Sequence, residues 1–347
     1  MRYGWRKQAL AACLVVACFA GCGDGREKIS EGMRALEALD YEGALLLFEE
    51  ADILEENQRL TARGRGIAYM GLTEYEQAIA CFQEALAGSN GLVSDIDFDL
   101  NYYLAAAYTK NGQYEQAEAN YDAILALRPE EKDAYFLRGN VRLALGDYEG
   151  ALADFDKTIA MDSKNYDRIL EIYECLAQYG MEKEGEQYLK QALESNDRQM
   201  SSYNRGRIYY YLGEYQKAYA ALEEAKDKGD AESYLYLGKA YEATGDYNYA
   251  SSVYNSYISK KGGNAVLYNQ LGLCEMKKKD YGKALEAFQA GKQLEDASVL
   301  QSLSFNEIVA YEYLGQYKEA ANLLEQYLKN YPDDENAKRE QQFLSTR

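Results

Sequence analysis

A short motif, Gly-x-Tyr-x-x-Ala or a close variant, recurs along almost the whole chain. That recurrence limits the possible folds more than any other feature. It stands at Asp40-Tyr41-Glu42-Gly43-Ala44, Glu74-Tyr75-Glu76-Gln77-Ala78 and Gly112-Gln113-Tyr114-Glu115-Gln116-Ala117. It returns at Gly146-Asp147-Tyr148, Gly213-Glu214-Tyr215, Gly245-Asp246-Tyr247, Asp280-Tyr281 and Gly315-Gln316-Tyr317, followed by Ala151, Ala218, Ala250, Ala284 and Ala320. A degenerate copy, Gly180-Met181-Glu182-Lys183-Glu184-Gly185, fills the remaining gap. From each marker alanine (or Gly185) to the next, the steps are 34, 39, 34, 34, 33, 32, 34 and 36 residues. A period of that size is one supersecondary unit, too small to bury its apolar face alone, so neighbours must stack.

Other positions keep the same register. Twelve residues before the marker stands a glycine in six units: Gly32, Gly66, Gly139, Gly206, Gly238 and Gly272. Four residues after it comes a large side chain: Phe48, Phe82, Tyr121, Phe155, Leu189, Leu222, Tyr254, Phe288 or Leu324. The chain has only two prolines, Pro129 and Pro332, and both lie twelve residues after a marker alanine. Proline breaks helices, so its scarcity suits a nearly all-helical chain and these two sites suit helix ends. The pattern resembles the tetratricopeptide repeat family over nine units. The resemblance implies an all-α fold: a right-handed α-solenoid of about nine helix-turn-helix repeats over residues 26–332, with residues 333–347 forming a C-terminal capping helix. With neighbouring helices about 10 Å apart, such an array is a rod of roughly 90 Å. Two irregularities stand out: an inserted loop around Gly88-Ser89-Asn90-Gly91, and the degenerate fifth unit, which is expected to be either neutral drift or a softer joint.

The N-terminus carries a targeting signal. Arg2, Arg6 and Lys7 precede an uncharged, mostly apolar run from Gln8 to Gly23, too short to span a bilayer comfortably. Phe19-Ala20-Gly21-Cys22 resembles the lipobox of bacterial lipoproteins. The resemblance implies that residues 1–21 are removed, that a diacylglyceryl group sits on Cys22, and that 22–25 form a short linker. Val15-Val16-Ala17-Cys18 also fits the pattern but leaves a shorter hydrophobic core, so Cys22 is preferred. Two or three acyl chains would hold the protein at the outer face of a bacterial cytoplasmic membrane, or at a periplasm-facing membrane in a host that has two.

Composition excludes several functions. The chain has no histidine, which removes Ser-His-Asp and Cys-His catalysis and His-ligated metals. Its formal charge is −19, and loss of residues 1–21, with three positive and no negative charges, makes it −22. Phosphate binding needs a cationic face, so nucleic acid is not an expected partner. Asp95-Ile96-Asp97-Phe98-Asp99 alternates carboxylates as a calcium loop does, but Leu100 and Ala106 replace the required glycine and glutamate, so the run is expected to be a helix N-terminus. Cys81, Cys175 and Cys274 are too widely spaced for a zinc site and are expected to be buried thiols. No metal, cofactor or enzymatic activity is expected.

Surface recognition remains. In the tetratricopeptide family the first helix of each unit lines a concave groove. The resemblance places Arg63, Tyr102, Lys110, Phe136, Asn140, Leu143, Met200, Tyr203, Arg207, Tyr210, Tyr211, Lys239 and Lys277 there. Over 45 such positions there are six cations and eight anions, so the groove is expected to be the least acidic surface. Tyrosine and arginine often dominate binding energy, which makes the sixth unit, Met200 to Tyr211, the densest candidate patch. The expected function is a non-catalytic adaptor for envelope proteins or peptides. The alternative is glycan capture by the tyrosine-rich groove. Lys-Asn clamping of a C-terminal carboxylate is not expected, because Phe136 stands four residues before Asn140 where the lysine should be.

Overall fold

A computed structural model describes residues 26–346 except 90, 196–198, 227–228 and 333. The segment expected to be a leader and both candidate lipid-attachment residues, Cys18 and Cys22, lie outside the described residues. The chain divides into two compact units, residues 1–161 and 162–347, and the division falls at the start of the fifth repeat.

The N-terminal unit holds four antiparallel pairs: α1 (Glu27–Glu37) with α2 (Tyr41–Ile53), α3 (Gln58–Gly71) with α4 (Tyr75–Ala87), α5 (Asp95–Lys110) with α6 (Tyr114–Leu127), and α7 (Lys132–Leu145) with α8 (Tyr148–Met161). Inside this unit each second helix also packs along the first helix of the next pair. The C-terminal unit repeats the plan with α9 (Tyr166–Gln178) and α10 (Glu182–Glu194), α11 (Ser202–Tyr211) and α12 (Tyr215–Lys226), α13 (Ala231–Ala243) and α14 (Tyr247–Lys261). It continues with α15 (Ala265–Lys277) and α16 (Tyr281–Lys292), then α17 (Ala297–Tyr313) and α18 (Tyr317–Asn330), and ends with α19 (Glu335–Leu344) against α18. All regular structure among the described residues is helical, and the expected α-solenoid of tetratricopeptide-like pairs is present.

The repeated glycines and rings explain the close pairing. Phe48, Phe82, Phe155, Tyr254 and Phe288 are fully buried. Each ring lies over the glycine sixteen residues before it. A β-carbon on Gly32, Gly66, Gly139, Gly238 or Gly272 would meet the nearest ring atom at 2.1–2.7 Å. Phe48 also presses on Gly64 of the following pair, so one ring wedges two repeats together.

The turns between paired helices need a left-handed residue. Gly112, Gly146, Gly180, Gly213, Gly245 and Gly315 supply it at φ between 70° and 80°. In the three variant motifs Leu39, Thr73 and Lys279 adopt φ of 61–64° at the same place. That strain costs an L-residue about 1–2 kcal/mol, yet the flanking helices hold it. Asp40, Asp246 and Asp280 then cap the second helices by accepting from the backbone N–H three residues on. Helix α1 has no side-chain cap of its own, and Glu56 accepts from Lys28 N (3.1 Å) and Ile29 N (3.0 Å) instead.

The inserted loop separates α4 from α5. The Asp95–Asp99 run opens α5, where Ser94 and Asp97 form a capping box. Helices α6 and α18 both stop just before a proline, at Leu127 and Asn330. Cys81 and Cys274 are buried and Cys175 half-buried, all as free thiols; burial pushes Cys175 and Cys274 up to about 12. Such thiols are poor nucleophiles.

One carboxylate pair is expected to make the last helix sensitive to pH. Glu312 of α17 lies near Glu340 of α19, and burial, reinforced by that neighbour, pushes Glu312 up to about 8 from an ordinary 4.5. A raised folded-state value means that the folded form holds the proton more tightly. The stabilisation is therefore full below about 4.5 and is lost as pH rises towards 8. Amide protection in α19, corrected for intrinsic exchange, should fall between pH 5 and 8 in the native chain and stay level in a Glu312→Gln variant. Level protection in both would show that the pair does not hold the helix.

Candidate functional site

The densest constellation of polar and aromatic side chains lies on the first helices α9, α11 and α13 of the C-terminal unit. Tyr203, Arg207, Tyr210 and Tyr211 project from α11 at spacings that keep them on neighbouring faces of one helix. Tyr173 meets Tyr211 edge-on at 5.4 Å, and Tyr211 meets Tyr210 at 5.3 Å. Tyr236 of α13 lies 5.7 Å from Tyr210, 6.1 Å from Tyr203 and 6.2 Å from Tyr211. These separations and tilts are the favoured ones for quadrupolar rings, each pair contributing about 0.5–1.5 kcal/mol beyond its buried area.

Charges are threaded through the rings. The Arg207 guanidinium sits 4.9 Å from the Tyr203 ring centre and 5.2 Å from that of Tyr236, and it donates to Asp167 of α9 at 2.5 Å. Lys239 lies 5.1 Å over Tyr236, and burial lowers its pKa despite the nearby carboxylates. Tyr211 donates to Glu174 of α9, and Tyr203 donates to Glu232 of α13 at 3.2 Å. Burial raises Tyr203, Tyr210 and Tyr211, the second to about 12, so all three remain neutral hydroxyls near neutrality. Glu242 accepts from Tyr254 and from Gln270, while burial raises its pKa.

The cluster is also a splice. Elsewhere in this unit, from α12 onward, each second helix lies closely along the next first helix, but α10 touches α11 only thinly. The ring contacts and the Asp167 and Glu174 bonds connect α9 to α11 in its place.

The other predicted residues are dispersed. In the N-terminal unit Arg63 donates to Asp99 at 2.6 Å and rests 5.3 Å over Tyr103, so its charge is already matched. Tyr102 on α5 and Asn140 on α7 are half-buried, and Tyr102 Oη and Asn140 Oδ1 are buried without a hydrogen-bond partner. Lys110 and Lys277 are exposed at the last residues of α5 and α15. Phe136, Leu143 and Met200 are buried rather than presented: Phe136 turns inward onto the Phe155 ring at 6.0 Å, Leu143 joins the core, and Met200 is covered just before the Ser201 cap of α11. An apolar position on a first helix contributes more by packing than by facing water, and register alone does not distinguish the two. Tyr173, Tyr236, Asp167, Glu174 and Glu232 complete the cluster and were not singled out from sequence. Tyr236 is off the groove register. The three acids are on it, one unit before or after the side chains they bind, so comparison of equal positions in consecutive repeats would have found them.

An open recess of about 180 Å³ beside the 88–94 loop is lined mostly by Leu86, Leu92, Val93, Phe98, Ile124 and Leu127, and it gathers none of the predicted residues. Among the described residues no three Cys, Asp or Glu side chains converge as a metal-ligand set, and no helix is long and apolar enough to cross a membrane.

Sequence profiles of the tetratricopeptide repeat match residues 64–87, 102–166, 203–265 and 305–334, together just over half of the chain. The chain belongs to the tetratricopeptide repeat family. Among curated relatives, RNA polymerase II-associated protein 3 of Xenopus laevis is 25% identical over 220 residues, covering 63% of this chain and 30% of that protein. BBSome complex member BBS4 of Bos taurus is 21% identical over 285 residues, covering 77% and 47%. The chain thus spans less than half the length of these relatives. A solved tetratricopeptide repeat protein from Parabacteroides merdae superposes with a TM-score of 0.46 at 17% identity, covering 80% of this chain and 96% of that one. The tetratricopeptide array is an interaction scaffold by fold, and the cluster on α9, α11 and α13 gathers half-buried aromatic and charged side chains around the buried Tyr236.

Proposed function

We propose that this tetratricopeptide repeat protein is a non-catalytic, lipid-anchored adaptor that binds envelope proteins or peptides across α9, α11 and α13. The observation that carries the reading is the convergence of four half-buried tyrosines, Tyr173, Tyr203, Tyr210 and Tyr211, and two cations from three consecutive repeats around the buried Tyr236 ring. Rigid aromatic side chains lose little entropy on binding and recur where interfaces are strongest. The rings meet edge to face and so cover one another, which favours a peptide over the stacked sugar of the alternative reading. The lipobox-like Phe19–Cys22 segment supports an anchor at Cys22, and with it a position at the outer face of a cytoplasmic membrane or facing a periplasm.

Both parts are tested in one preparation from membranes. Cys22→Ser should move the protein from the membrane fraction to the soluble one. Cross-linked purification should recover a defined protein set from the native chain, and Tyr203→Ala/Tyr210→Ala should lose it while α15–α18, outside the ring contacts, keep their amide protection. Recovery of the same set with the double variant would place binding elsewhere, and an unchanged distribution of Cys22→Ser would remove the anchor.

A further inference from the structure

We propose that the segment held on this face is basic: an extended stretch whose lysine or arginine side chains pass over the tyrosines to Asp167, Glu174 and Glu232. The inference rests on the adaptor reading and adds the chemistry of its partner.

The depth of each charge decides the sign. The cations of the face lie low and its anions stand up. Arg207 keeps only 12% of its side chain exposed, wedged between two rings, whereas the Asp167 side chain that meets it is 72% exposed. Glu174 and Glu232 are exposed as well, and Lys239 is half-buried with its ammonium disfavoured by burial. Three carboxylates, Asp167, Glu174 and Glu232, stand at the rim, while the two cations among them lie low. An approaching chain meets the carboxylates first, so the face is more acidic to a partner than its overall balance of charge implies.

Each rim carboxylate is also held in a direction before any partner arrives. Arg207 engages Oδ1 of Asp167, Tyr211 engages Oε1 of Glu174, and Tyr203 engages Oε2 of Glu232. One oxygen is tied in each case, which lowers the entropy lost when the group binds a second cation. The rings between them attract cations too: Arg207 and Lys239 already lie about 5 Å from tyrosine ring centres, and a partner's lysine or arginine would repeat that arrangement. An acidic segment would instead have to displace Asp167 from an arginine that is nearly covered, while three rim carboxylates repel it.

An immobilised array of short peptides, spanning net charges from strongly negative to strongly positive with and without aromatics, tests this with the full chain in detergent. Binding should rise with positive charge. Replacement of the three rim acids by amides, Asp167→Asn/Glu174→Gln/Glu232→Gln, should weaken the best binders by about tenfold or more without loss of amide protection in α13. Amides keep the shape and the tyrosine hydrogen bonds, so a fold defect is separated from a charge effect. Equal binding across charge, preference for acidic peptides, or no binding at all would overturn the proposal. If the cross-linked partners survive the triple variant yet vanish with Tyr203→Ala/Tyr210→Ala, the adaptor reading stands and the charge assignment fails. If neither variant changes them, the adaptor face itself is wrong.

Discussion

Asp154→Ala should destabilise the N-terminal unit by about 3–5 kcal/mol, the range seen when one partner of a buried ion pair is removed. Asp154 is 3% exposed on α8, and it receives Arg138 in a two-pronged grip at 2.9 and 2.6 Å and Arg142 at 2.9 Å. Both guanidiniums come from α7, and each has a second carboxylate on α6: Asp122 for Arg138 at 2.6 Å and Glu118 for Arg142 at 2.7 Å. One buried aspartate thus ties three helices. Without it two arginines, 14% and 19% exposed, keep their charge with only Asp122 left for Arg138, and Glu118 with the more distant Asp147 (3.8 Å) left for Arg142. Repeat arrays open locally, so the effect should appear as a rise of about a hundredfold or more in the exchange of α6–α8 amides. The α13–α16 amides should be unchanged, because each repeat contacts only its neighbours. Asp154→Asn should fall between, since it keeps the shape and one acceptor. A loss below about 1 kcal/mol would mean that water replaces the carboxylate, as it does at exposed pairs.

Gly272→Ala should also destabilise, against its local preference. In an exposed helix the change gains about 1 kcal/mol. Here the new β-carbon would stand 2.3 Å from the Phe288 ring, which has no exposed surface and nowhere to retreat. Overpacking of this kind costs about 1–3 kcal/mol. Phe288→Ala alone should cost about 3–5 kcal/mol through the cavity it leaves. The two changes together should cost less than Phe288→Ala alone, because the alanine methyl then occupies part of the hole and keeps its helical gain. Thermal unfolding of the four members of this cycle measures the coupling directly. Additive losses would show that glycine and ring do not share one space.

The same glycine and ring explain why the architecture was legible. A residue without a side chain, a ring sixteen positions later and a left-handed turn between them each have a geometric consequence, and five such pairs within nine units in one register leave few alternatives. Even the turns that lack glycine follow the plan, because Leu39, Thr73 and Lys279 are carried into the left-handed region by their helices. The cluster on α9, α11 and α13 was legible only in part. Tyr203, Arg207, Tyr210 and Tyr211 were found by register. Phe136 and Met200 shared that register and turned inward, because the depth of a side chain depends on neighbours in other repeats. The roles of Asp167, Glu174, Asp154 and Glu56 escaped for a related reason: each acts on a residue 12 to 40 positions away, and no local pattern announces it.

The splice between α9 and α11 has a mechanical consequence. A partner that bridges Asp167 and Glu232 would add a brace across the step where α10 and α11 touch only thinly. Coupling of this kind is reciprocal. If occupancy stiffens the step, a pull that draws α9 from α11 must weaken occupancy by the same free energy. A tethered array would then behave as a strain gauge, releasing its cargo as the load on its ends grows. Peptide affinity measured on a chain under tension would show this as a fall with force, and a flat response would uncouple grip from stiffness.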